Sequence, residues 1–390
     1  MTWPTVRLGD VASIQRNSIQ PEDIASGELY VGLENIKSGG QFNNVQPVKK
    51  GDLASSKFSF TNKHILYGKL RPYLAKIAIP NFNGICSTDI LPVLPSNKLD
   101  LRYLAHVLLQ PQLVAIANSL ATGANLPRLS PTALSDLKIP LPPLAEQRRI
   151  AAILDKAEEI KRKREAAIEK LDQLAQSVFV DMFGDPVANN RKWDLIKLGD
   201  VVAKLGSGAT PTGGNASYKS QGIALIRSLN VHDGEFVFKN LAYIDEKQAA
   251  KLANVEVMRG DVLLNITGAS VARVCMVPQD VLPARVNQHV MIIRPSAKLD
   301  SLFLERLLLT LQMKSKLLRI GGAGATREAI TKAQAENLEI IYPPLQFQKD
   351  FSKQITQIFE LKDKLMKGFD LGSALSRSLQ HQAFTAGFET

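Results

Sequence analysis

Cationic, aromatic, amide and hydroxyl side chains recur together along the chain, and this combination is the chemistry of nucleic-acid contact. Arginine and lysine bind phosphate oxygens and guanine, asparagine and glutamine bind adenine, and small hydroxyls serve either. In the first half of the chain the candidates are Lys63, Tyr67, Lys69, Arg71, Tyr73, Asn125 and Arg128. In the second half they are Thr210, Thr212, Tyr218, Lys219, Arg227, Asn230, Asn265, Thr267, Arg273, Arg285, Asn287, Gln288 and Arg327. A single residue of these types is more often a turn former or a solvated side chain, so the prediction rests on the clusters.

Patterns that would give the chain a catalytic or cofactor site are missing from the sequence. It has no Gly-x4-Gly-Lys-Ser/Thr loop for ATP, and its five histidines and two cysteines lack the spacing of zinc ligands. A DNA adenine methyltransferase is expected to carry Asn or Asp before a Pro-Pro-aromatic sequence, whereas the two Pro-Pro pairs follow Leu141 and Tyr342. We therefore expect no catalytic residue, no metal site and no cofactor bound by this chain.

The composition is that of a folded, basic protein. Among 390 residues, 48 are Lys or Arg and 37 are Asp or Glu, which gives a formal charge of +11. Such a charge favours an anionic partner, either nucleic acid or a membrane surface, and a basic cytosolic protein is more often a nucleic-acid binder. No apolar run is long enough to cross a bilayer. Cys86 and Cys275 lie far apart in apolar stretches and are expected to be buried, reduced thiols. A cytoplasmic DNA-binding protein is predicted.

The candidates lie within a duplicated architecture, because the same short sequences recur in the same order in both halves of the chain. The matching positions are residues 3–11 with 193–201, Leu66 and Pro80 with Leu264 and Pro278, 95–100 with 295–300, 122–130 with 323–331, and 142–147 with 343–348. Residues 12–62 and 202–259 differ in length and content while the frame around them agrees. This is typical of one architecture that reads two different targets.

An apolar 3-4 repeat follows each Pro-Pro-Leu sequence and predicts a long amphipathic helix. Gly368 and Gly372 interrupt the second repeat, where the helix is expected to bend or break. The two apolar seams would be hidden if the helices packed against each other, and a helix of some 35 residues would span about 50 Å. The residues predicted in this interface, or in a partner's, are Ile150, Ile153, Ile160, Leu171, Leu174, Val178, Phe351, Ile355, Ile358, Leu365, Phe369 and Leu379.

With these motifs in order, the chain resembles the specificity subunit of type I restriction-modification systems. The resemblance rests on the Trp-x4-Leu-Gly-Asp openings at Trp3 and Trp193, on loops 206–211 and 324–326, and on the Pro-Pro-Leu-x-x-Gln sequences at Pro142 and Pro343. Residues 13–28 contain no counterpart of the 206–211 loop. The resemblance implies two target recognition domains, each of which reads one half of an asymmetric two-part site in double-stranded DNA.

The resemblance also implies partners that carry the catalysis. These would be two modification subunits, which methylate adenine with S-adenosylmethionine, and two restriction subunits that use ATP and Mg²⁺. The expected fold class is α+β, with two similar strand-rich target recognition domains joined and separated by two long antiparallel coiled-coil helices around a pseudo-two-fold axis. The expected domains are residues 1–143 and 185–344 for recognition, and 144–184 and 345–390 for the helices.

Two other functions remain open on the sequence. A DNA-modifying enzyme with an undetected active site would bind S-adenosylmethionine or turn over by itself. The affinity of a DNA-recognition protein for DNA falls steeply as the salt concentration rises. A coiled-coil scaffold whose basic charge is incidental would show no such salt-dependent DNA affinity. The basic run 161–164 lies beside glutamates, so we expect i to i+4 ion pairs on an exposed helix face there rather than a DNA contact.

Overall fold

The computed structural model of the chain describes residues 3–210, 214–322 and 329–385, without the side chains of residues 215, 216, 369–371, 373–377, 380, 381 and 385. The chain forms two compact units. The first comprises Met1–Glu165 together with Lys367–Thr390, and the second comprises Ala166–Met366. The C-terminal segment therefore folds with the N-terminal half of the chain.

The first unit consists of short strands, four short helices and the beginning of a long helix. Its strands are β1 (Thr5–Arg7), β2 (Ala12–Ile14), β3 (Ser18–Ile19), β4 (Leu29–Val31), β5 (Gln46–Pro47), β6 (Lys57–Phe60), β7 (Ile65–Gly68), β8 (Ile77–Ala78), β9 (Gly84–Cys86), β10 (Ile90–Pro95) and β11 (Lys138–Pro140). Its helices are α1 (Leu8–Val11), α2 (Leu101–Leu108), α3 (Pro111–Ser119), α4 (Pro131–Ser135) and α5 (Leu144–Phe183), which continues into the second unit.

The described strands of the first unit form three sheets, in the orders β2-β10-β7-β8, β3-β6-β9-β4-β5 and β1-β11. Neighbouring strands are antiparallel except β4 and β9, which are parallel with Tyr30 opposite Ile85. Strand β7 is buried along its whole length and β10 over its first four residues, which explains their nearly continuous apolar sequences. These two strands lie at the centre of the unit.

The second unit repeats this organisation. Its strands are β12 (Leu195–Lys197), β13 (Val202–Ser207), β14 (Ile223–Ile226), β15 (Val231–His232), β16 (Glu235–Phe236), β17 (Ala242–Ile244), β18 (Glu256–Val257), β19 (Val262–Asn265), β20 (Val274–Met276), β21 (Ala284–Val286), β22 (Val290–Pro295) and β23 (Glu339–Ile341). Its helices are α6 (Glu246–Lys251), α7 (Ser301–Leu309), α8 (Leu311–Gly322), α9 (Lys332–Glu336) and α10 (Leu345–Thr385), which continues into the first unit.

The sheets of the second unit have the orders β13-β22-β19-β20, β17-β14-β21-β18, β12-β23 and β15-β16. The first and third correspond to β2-β10-β7-β8 and β1-β11, and the one parallel pair described in this unit, β14 with β21, corresponds to β4 with β9. The two halves of the sequence therefore share one core topology, as the repeat predicts, while the β15-β16 pair has no counterpart among the described strands of the first unit.

Each repeated Asp caps a helix, and the helical stretch that follows it is broken into two helices in each unit. The Asp100 carboxylate accepts from the backbone N–H of Tyr103, and Asp300 does the same for Phe303. The first stretch breaks before Pro111, because proline lacks an N–H and fits the first position of the new helix α3. The second breaks at Thr310.

The second half of α5 and the first half of α10 run antiparallel in the second unit. Asp172 accepts from Nζ of Lys362 at 2.6 Å, and Sδ of Met182 lies 3.9 Å from Nε2 of Gln354. Residue numbers therefore rise along one helix as they fall along the other. Buried rings hold this pair to α7, with the centroid of Phe303 at 4.9 Å from Phe183 and 6.3 Å from Phe351.

The first half of α5 and the end of α10 are likewise antiparallel in the first unit. Nη1 of Arg164 donates to the carbonyl of Gly368 at 2.6 Å, and Ile150 and Leu154 share a core with Ala383. Helix α10 is continuous from Leu345 to Thr385, so the break expected at the two glycines does not occur. The packing against α5 stabilises the helix there.

The structure changes part of the predicted helix interface. Ile160 and Leu174 are 42% and 46% exposed, whereas Ala175 and Phe179, which the prediction did not include, are buried. An α-helix drifts by about 20° per heptad from a strict seven-residue repeat, so an extrapolated seam leaves the packed face. The side chain of Phe369 lies outside the described residues. Of the remaining predicted residues, Ile150, Phe351 and Ile355 are buried, and Ile153, Leu171, Val178, Ile358, Leu365 and Leu379 are partly buried.

The glutamine that ends each Pro-Pro-Leu-x-x-Gln sequence is buried and joins the helix start to the recognition fold. Oε1 of Gln147 accepts from the N–H of Asp100 at 2.8 Å, and Nε2 donates to the carbonyls of Lys98 and Pro142 at 3.0 and 2.9 Å. Gln348 makes the equivalent bonds to Asp300 and Pro343 at 2.9 and 2.8 Å. The motif is therefore structural in both units.

Gln147→Leu is expected to lower the free energy of unfolding by about 1–3 kcal/mol, because it leaves a buried N–H and two carbonyls without their partner. Urea unfolding of the full chain measures the difference. Gln173→Leu, on the exposed face of the same helix, is the matched control and should change stability by less than about 0.5 kcal/mol. Equal effects of the two substitutions would contradict the role of the buried amide.

The repeated tryptophan ties the start of each recognition fold to the last turn of a long helix. Nε1 of Trp3 donates to the carbonyl of Ala383 at 2.9 Å, and Nε1 of Trp193 donates to that of Phe183 at 3.0 Å. The last carbonyls of a helix have no partner within the helix, so each indole satisfies one of them.

A histidine and an aspartate join α2 to α5 in the first unit. Nε2 of buried His106 lies 2.8 Å from Oδ1 of Asp155, and Nη1 of Arg102 lies 3.3 Å from Oδ2. The hydrogen bond from His106, together with the nearby positive charges, holds the pKa of Asp155 below its usual value.

Asp155→Asn is expected to destabilise the chain by about 1 kcal/mol at pH 7, a value discounted because the Asp155 side chain is 38% exposed. A carboxyl with a lowered pKa in the folded state contributes stability above its unfolded pKa of about 4, and the contribution is lost as the pH falls further. The difference in free energy of unfolding between wild type and Asp155→Asn, measured by urea unfolding, should therefore become smaller below pH about 4. Asp363→Asn is the exposed control, and a gap independent of pH would refute the assignment.

The basic run 161–164 pairs partly as expected. Nζ of Lys163 lies 2.6 Å from Glu159, which also accepts from Lys156 at 2.8 Å. These two lysines lower the pKa of Glu159 to about 2. Arg164 instead donates to Gly368, as described above. The run thus belongs in part to the helix pair.

Candidate nucleic-acid interface

Three segments of the first unit converge at one end of strands β7 and β10. The N–H of Lys69 donates to the carbonyl of Asp89 at 2.9 Å, and the N–H of Arg71 donates to that of Pro127 at 2.7 Å. The N–H of Leu129 returns to the carbonyl of Lys69 at 2.9 Å. Backbone bonds therefore hold together the β7–β8 turn, the turn before β10 and the glycine-bearing loop 122–130.

The polar side chains on these segments form the first loop cluster, which consists of Lys69, Arg71, Asp89 and Arg128. Asp89 accepts from Nε and Nη2 of Arg128 at 2.9 and 3.3 Å, and Nζ of Lys69 lies 3.8 Å away. The hydrogen bonds and charge of Asp89 raise the pKa of Arg128. The cluster contains three cations and one carboxylate, so it is positively charged and suited to an anionic ligand.

The second unit builds the same junction from different side chains. The N–H of Ile266 donates to the carbonyl of His289 at 3.0 Å, and the N–H of Ile330 donates to that of Ile266 at 2.8 Å. Thr210, Thr267, Gln288 and His289 lie here and form the second loop cluster.

The members of the second loop cluster are hydrogen bonded to one another. The Thr210 hydroxyl donates to Oε1 of Gln288, whose Nε2 lies 3.1 Å from Nε2 of His289. Nδ1 of His289 lies 2.6 Å from the Thr267 hydroxyl. If the Gln288 amide donates to the ring, Nδ1 carries the proton that goes to Thr267. These neutral hydroxyl and amide groups can pair with base edges.

The hydrogen bonds fix which residues of the two units correspond. Gly68 and Asn265 occupy the same position in the hairpins β7-β8 and β19-β20. The N–H of Gly68 donates to the carbonyl of Lys76 at 2.8 Å, and the N–H of Asn265 donates to the carbonyl of Arg273 at 2.9 Å. Leu66 therefore corresponds to Leu263, so the predicted match with Leu264 is wrong by one residue. The sequence alignment could not detect this shift, since a run of similar apolar residues fills both strands.

The corrected register shows how the two loop clusters differ. In chain order, Lys69, Arg71, Asp89 and Arg128 correspond to Ile266, Gly268, His289 and Ala329. The first loop cluster thus carries three cations, and their counterparts in the second are uncharged. One backbone frame presents two different chemistries.

The other candidates of the first unit do not all join this cluster. Lys63 is exposed but precedes β7, at the opposite end of the strand from Lys69. Tyr67 is buried in the core, so it presents no surface to DNA. Tyr73 and Asn125 are exposed on the converging segments, the first on a single 3-10 turn at Pro72–Leu74.

Four candidates of the second unit are buried, and their polar groups are used within the protein. Asn230 donates to the carbonyl of Val237 at 2.9 Å, and Asn265 donates to that of Ser228 at 2.9 Å. Arg285 pairs with Glu256 at 3.3 Å. Asn287 accepts from the N–H of His289 at 3.1 Å. We leave these four and Tyr67 out of the proposed interface.

The remaining candidates of the second unit lie at or near the surface. Lys219 is exposed and lies 3.8 Å from Asp245, and the guanidinium of Arg227 stacks over the ring of Tyr218 at 5.2 Å. Arg273 is partly exposed. Thr212 and Arg327 lie outside the described residues.

Sequence reasoning missed the two residues that organise the loop clusters, Asp89 and His289. The repeat contains a signal for them, because each directly precedes a central strand and the spacing to Pro95 and Pro295 is the same. Gly208, the second glycine of loop 206–211, also has a structural reason. A Cβ at Gly208 would lie 1.7 Å from the carbonyl oxygen of Val286, so only glycine fits there.

Other sites are limited to what the described residues show. Residues 3–210, 214–322 and 329–385 contain no group of three or more His, Cys, Asp or Glu side chains placed to hold a metal ion. Within the same ranges, no helix is long and apolar enough to span a membrane. Cys86 and Cys275 are buried and unpaired with each other, and burial raises the pKa of Cys86 to about 12.

Comparison with known proteins places this duplicated frame in a family. The family described as type I restriction modification DNA specificity domain matches residues 1–170 and 190–369. The chain belongs to this family of DNA specificity proteins. Since the match occurs twice, once over each half of the chain, the protein contains two DNA specificity domains.

Individual relatives agree with this membership. The chain is 28% identical over 186 residues to the type I restriction enzyme EcoDI specificity subunit of Escherichia coli, a match to 46% of this chain and 41% of that protein. It is 24% identical over 393 residues to a putative type I restriction enzyme MjaX specificity subunit of Methanocaldococcus jannaschii, covering 92% and 87%. The crystal structure of a type I restriction-modification S subunit from M. genitalium has the same fold, with a TM-score of 0.65, 12% identity and coverage of 100% and 97%.

Proposed function

We propose that this chain is the DNA-recognition subunit of a type I restriction-modification complex and that each of its two domains reads one half of a two-part site. The observation that carries the proposal is the pair of loop clusters, because a common backbone frame holds cations in one unit and hydroxyl, amide and imidazole groups in the other. Two copies of one frame with different polar groups are suited to two different DNA sequences.

The catalytic steps belong to partner proteins in this proposal. Methyl transfer to adenine, with S-adenosylmethionine, is assigned to a pair of modification subunits. Cleavage, with ATP and Mg²⁺, is assigned to a pair of restriction subunits. The absence from the sequence of an ATP loop and of a methyltransferase motif supports this division. The chain itself binds no cofactor, and it acts in the cytoplasm, where the DNA and these partners meet.

Methylome sequencing of a host with and without the gene tests the proposal. A two-part motif with an unread spacer should carry methyladenine only when this chain is present. The purified complex should bind that sequence, and its affinity should fall by orders of magnitude between about 50 and 200 mM salt, because phosphate contacts release counterions. An unchanged methylome together with DNA affinity that ignores sequence would refute the proposal.

A further inference from the structure

Arg71 occupies a backbone conformation that arginine rarely adopts. Its φ is +51° and its ψ is +67°, in the left-handed region. It also precedes Pro72, and the residue before a proline favours extended backbone. The conformation is held in place, since the N–H donates to the carbonyl of Pro127 at 2.7 Å and the carbonyl accepts from Leu74 at 2.9 Å.

The second unit shows what this turn requires. Gly268 corresponds to Arg71, has a φ of +70°, and its carbonyl accepts from Val271 at 2.9 Å. The residues four positions on, Ala75 and Ala272, both have positive φ, so the turn has the same shape in both units. Glycine adopts such a φ without steric cost. The turn therefore favours glycine at its first position, and the first unit keeps an arginine there against that preference.

The exposed side chain of Arg71 has no partner among the described residues that would explain an arginine there. It makes no hydrogen bond or ion pair within them. The two other cations of the first loop cluster face Asp89, so Arg71 is the cation there whose charge no carboxylate of the described residues offsets. A strained residue that the surrounding structure holds in place is a feature of functional sites.

We propose that Arg71 is a specificity-determining residue of the first unit and that its guanidinium reads a guanine of the first half-site. The inference rests on the proposed function. Arginine can donate two parallel hydrogen bonds to O6 and N7 of guanine, and such readout needs a donor held in a fixed place. The backbone bonds of Arg71 to Pro127 and Leu74 fix where the side chain begins. Gly268 cannot make this contact, so the equivalent base of the second half-site is read by other residues.

Arg71→Gly in the full chain, assembled with its modification subunits, tests the proposal. The variant copies the second unit and removes the strain, so its melting temperature should stay within about 2 °C of wild type. The methylated motif should become degenerate at one position of one half-site, and the preference for guanine there, measured by competition binding, should fall about tenfold or more. Arg71→Lys keeps the charge without the two-pronged donor and should lose the preference as well.

Lys192→Gly is the matched control. Lys192 is exposed, has a φ of +58° and lies between α5 and β12. Like Arg71→Gly, this change removes one positive charge and the side chain of a residue with left-handed backbone conformation. It should leave both motif and affinity unchanged. The proposal is overturned if Arg71→Gly leaves the motif intact, if it weakens binding equally on all sequences as a phosphate contact would, or if it lowers the melting temperature by several degrees. A wild-type complex without any sequence preference would refute the proposed function itself.

Discussion

Replacing residues 1–142 with the corresponding residues of a specificity subunit that reads another site is expected to change one half of the methylated sequence and leave the other half as it was. The first loop cluster lies entirely within this segment, and the second loop cluster lies outside it. Each mismatched base pair costs about 1–3 kcal/mol of binding free energy. If the chimera reads a half-site that differs at three positions, it should bind the original site at least about a hundredfold more weakly than wild type does. Methylome sequencing of a host that carries the chimera reads both halves at once.

The design must protect the helix contacts of the first unit. Trp3 bonds to Ala383, and Tyr103 packs against Phe384, so a chimera can fail because α10 no longer fits. A narrower exchange of residues 12–95 keeps these contacts and should also alter only one half of the motif. If either folded chimera changes both halves, the assignment of one domain to each half-site is wrong.

Phe351→Ala is expected to cause the largest loss of stability of any single substitution considered. Phe351 is fully buried between the helices of the second unit, with ring contacts to Phe179, Phe183 and Phe303. Truncating a buried phenylalanine costs about 3–5 kcal/mol, which corresponds to roughly 10 °C in melting temperature for a unit of this size. Calorimetry of the full chain should show this loss.

Leu361→Ala is the control on the same helix. Leu361 is 49% exposed, so the substitution should cost less than about 1 kcal/mol. A Phe351→Ala chain as stable as the Leu361→Ala chain would show that the aromatic cluster does not hold α5 and α10 to the second unit. Loss of stability with an unchanged methylation motif is the expected combination, because Phe351 lies outside both loop clusters.

The candidate DNA residues show what residue type can and cannot distinguish. Residue type proposed Lys69, Arg71, Arg128, Thr210, Thr267 and Gln288 as DNA contacts, and the structure brings them to two corresponding junctions. Their contact with DNA stays a prediction. Residue type alone could not separate these from Asn265 or Arg285, because a polar side chain that bonds to buried backbone has the same composition signal as one that faces DNA. Burial depends on contacts between distant segments, which a local pattern does not contain.

The sequence by itself determined the duplication, the two long helices and the family, because these depend on residue order and on apolar spacing along one chain. It also contains the local part of the caps and of the Pro-Pro-Leu-x-x-Gln junctions, since in both copies the capping Asp lies three residues before its partner and the glutamine lies five residues after the proline that it binds. Only the tertiary structure decided the strand register, the helix face that packs, and the meeting of the β7–β8 turn with loop 122–130. These depend on how segments distant in sequence satisfy one another's backbone groups and exclude water, so no single segment specifies them.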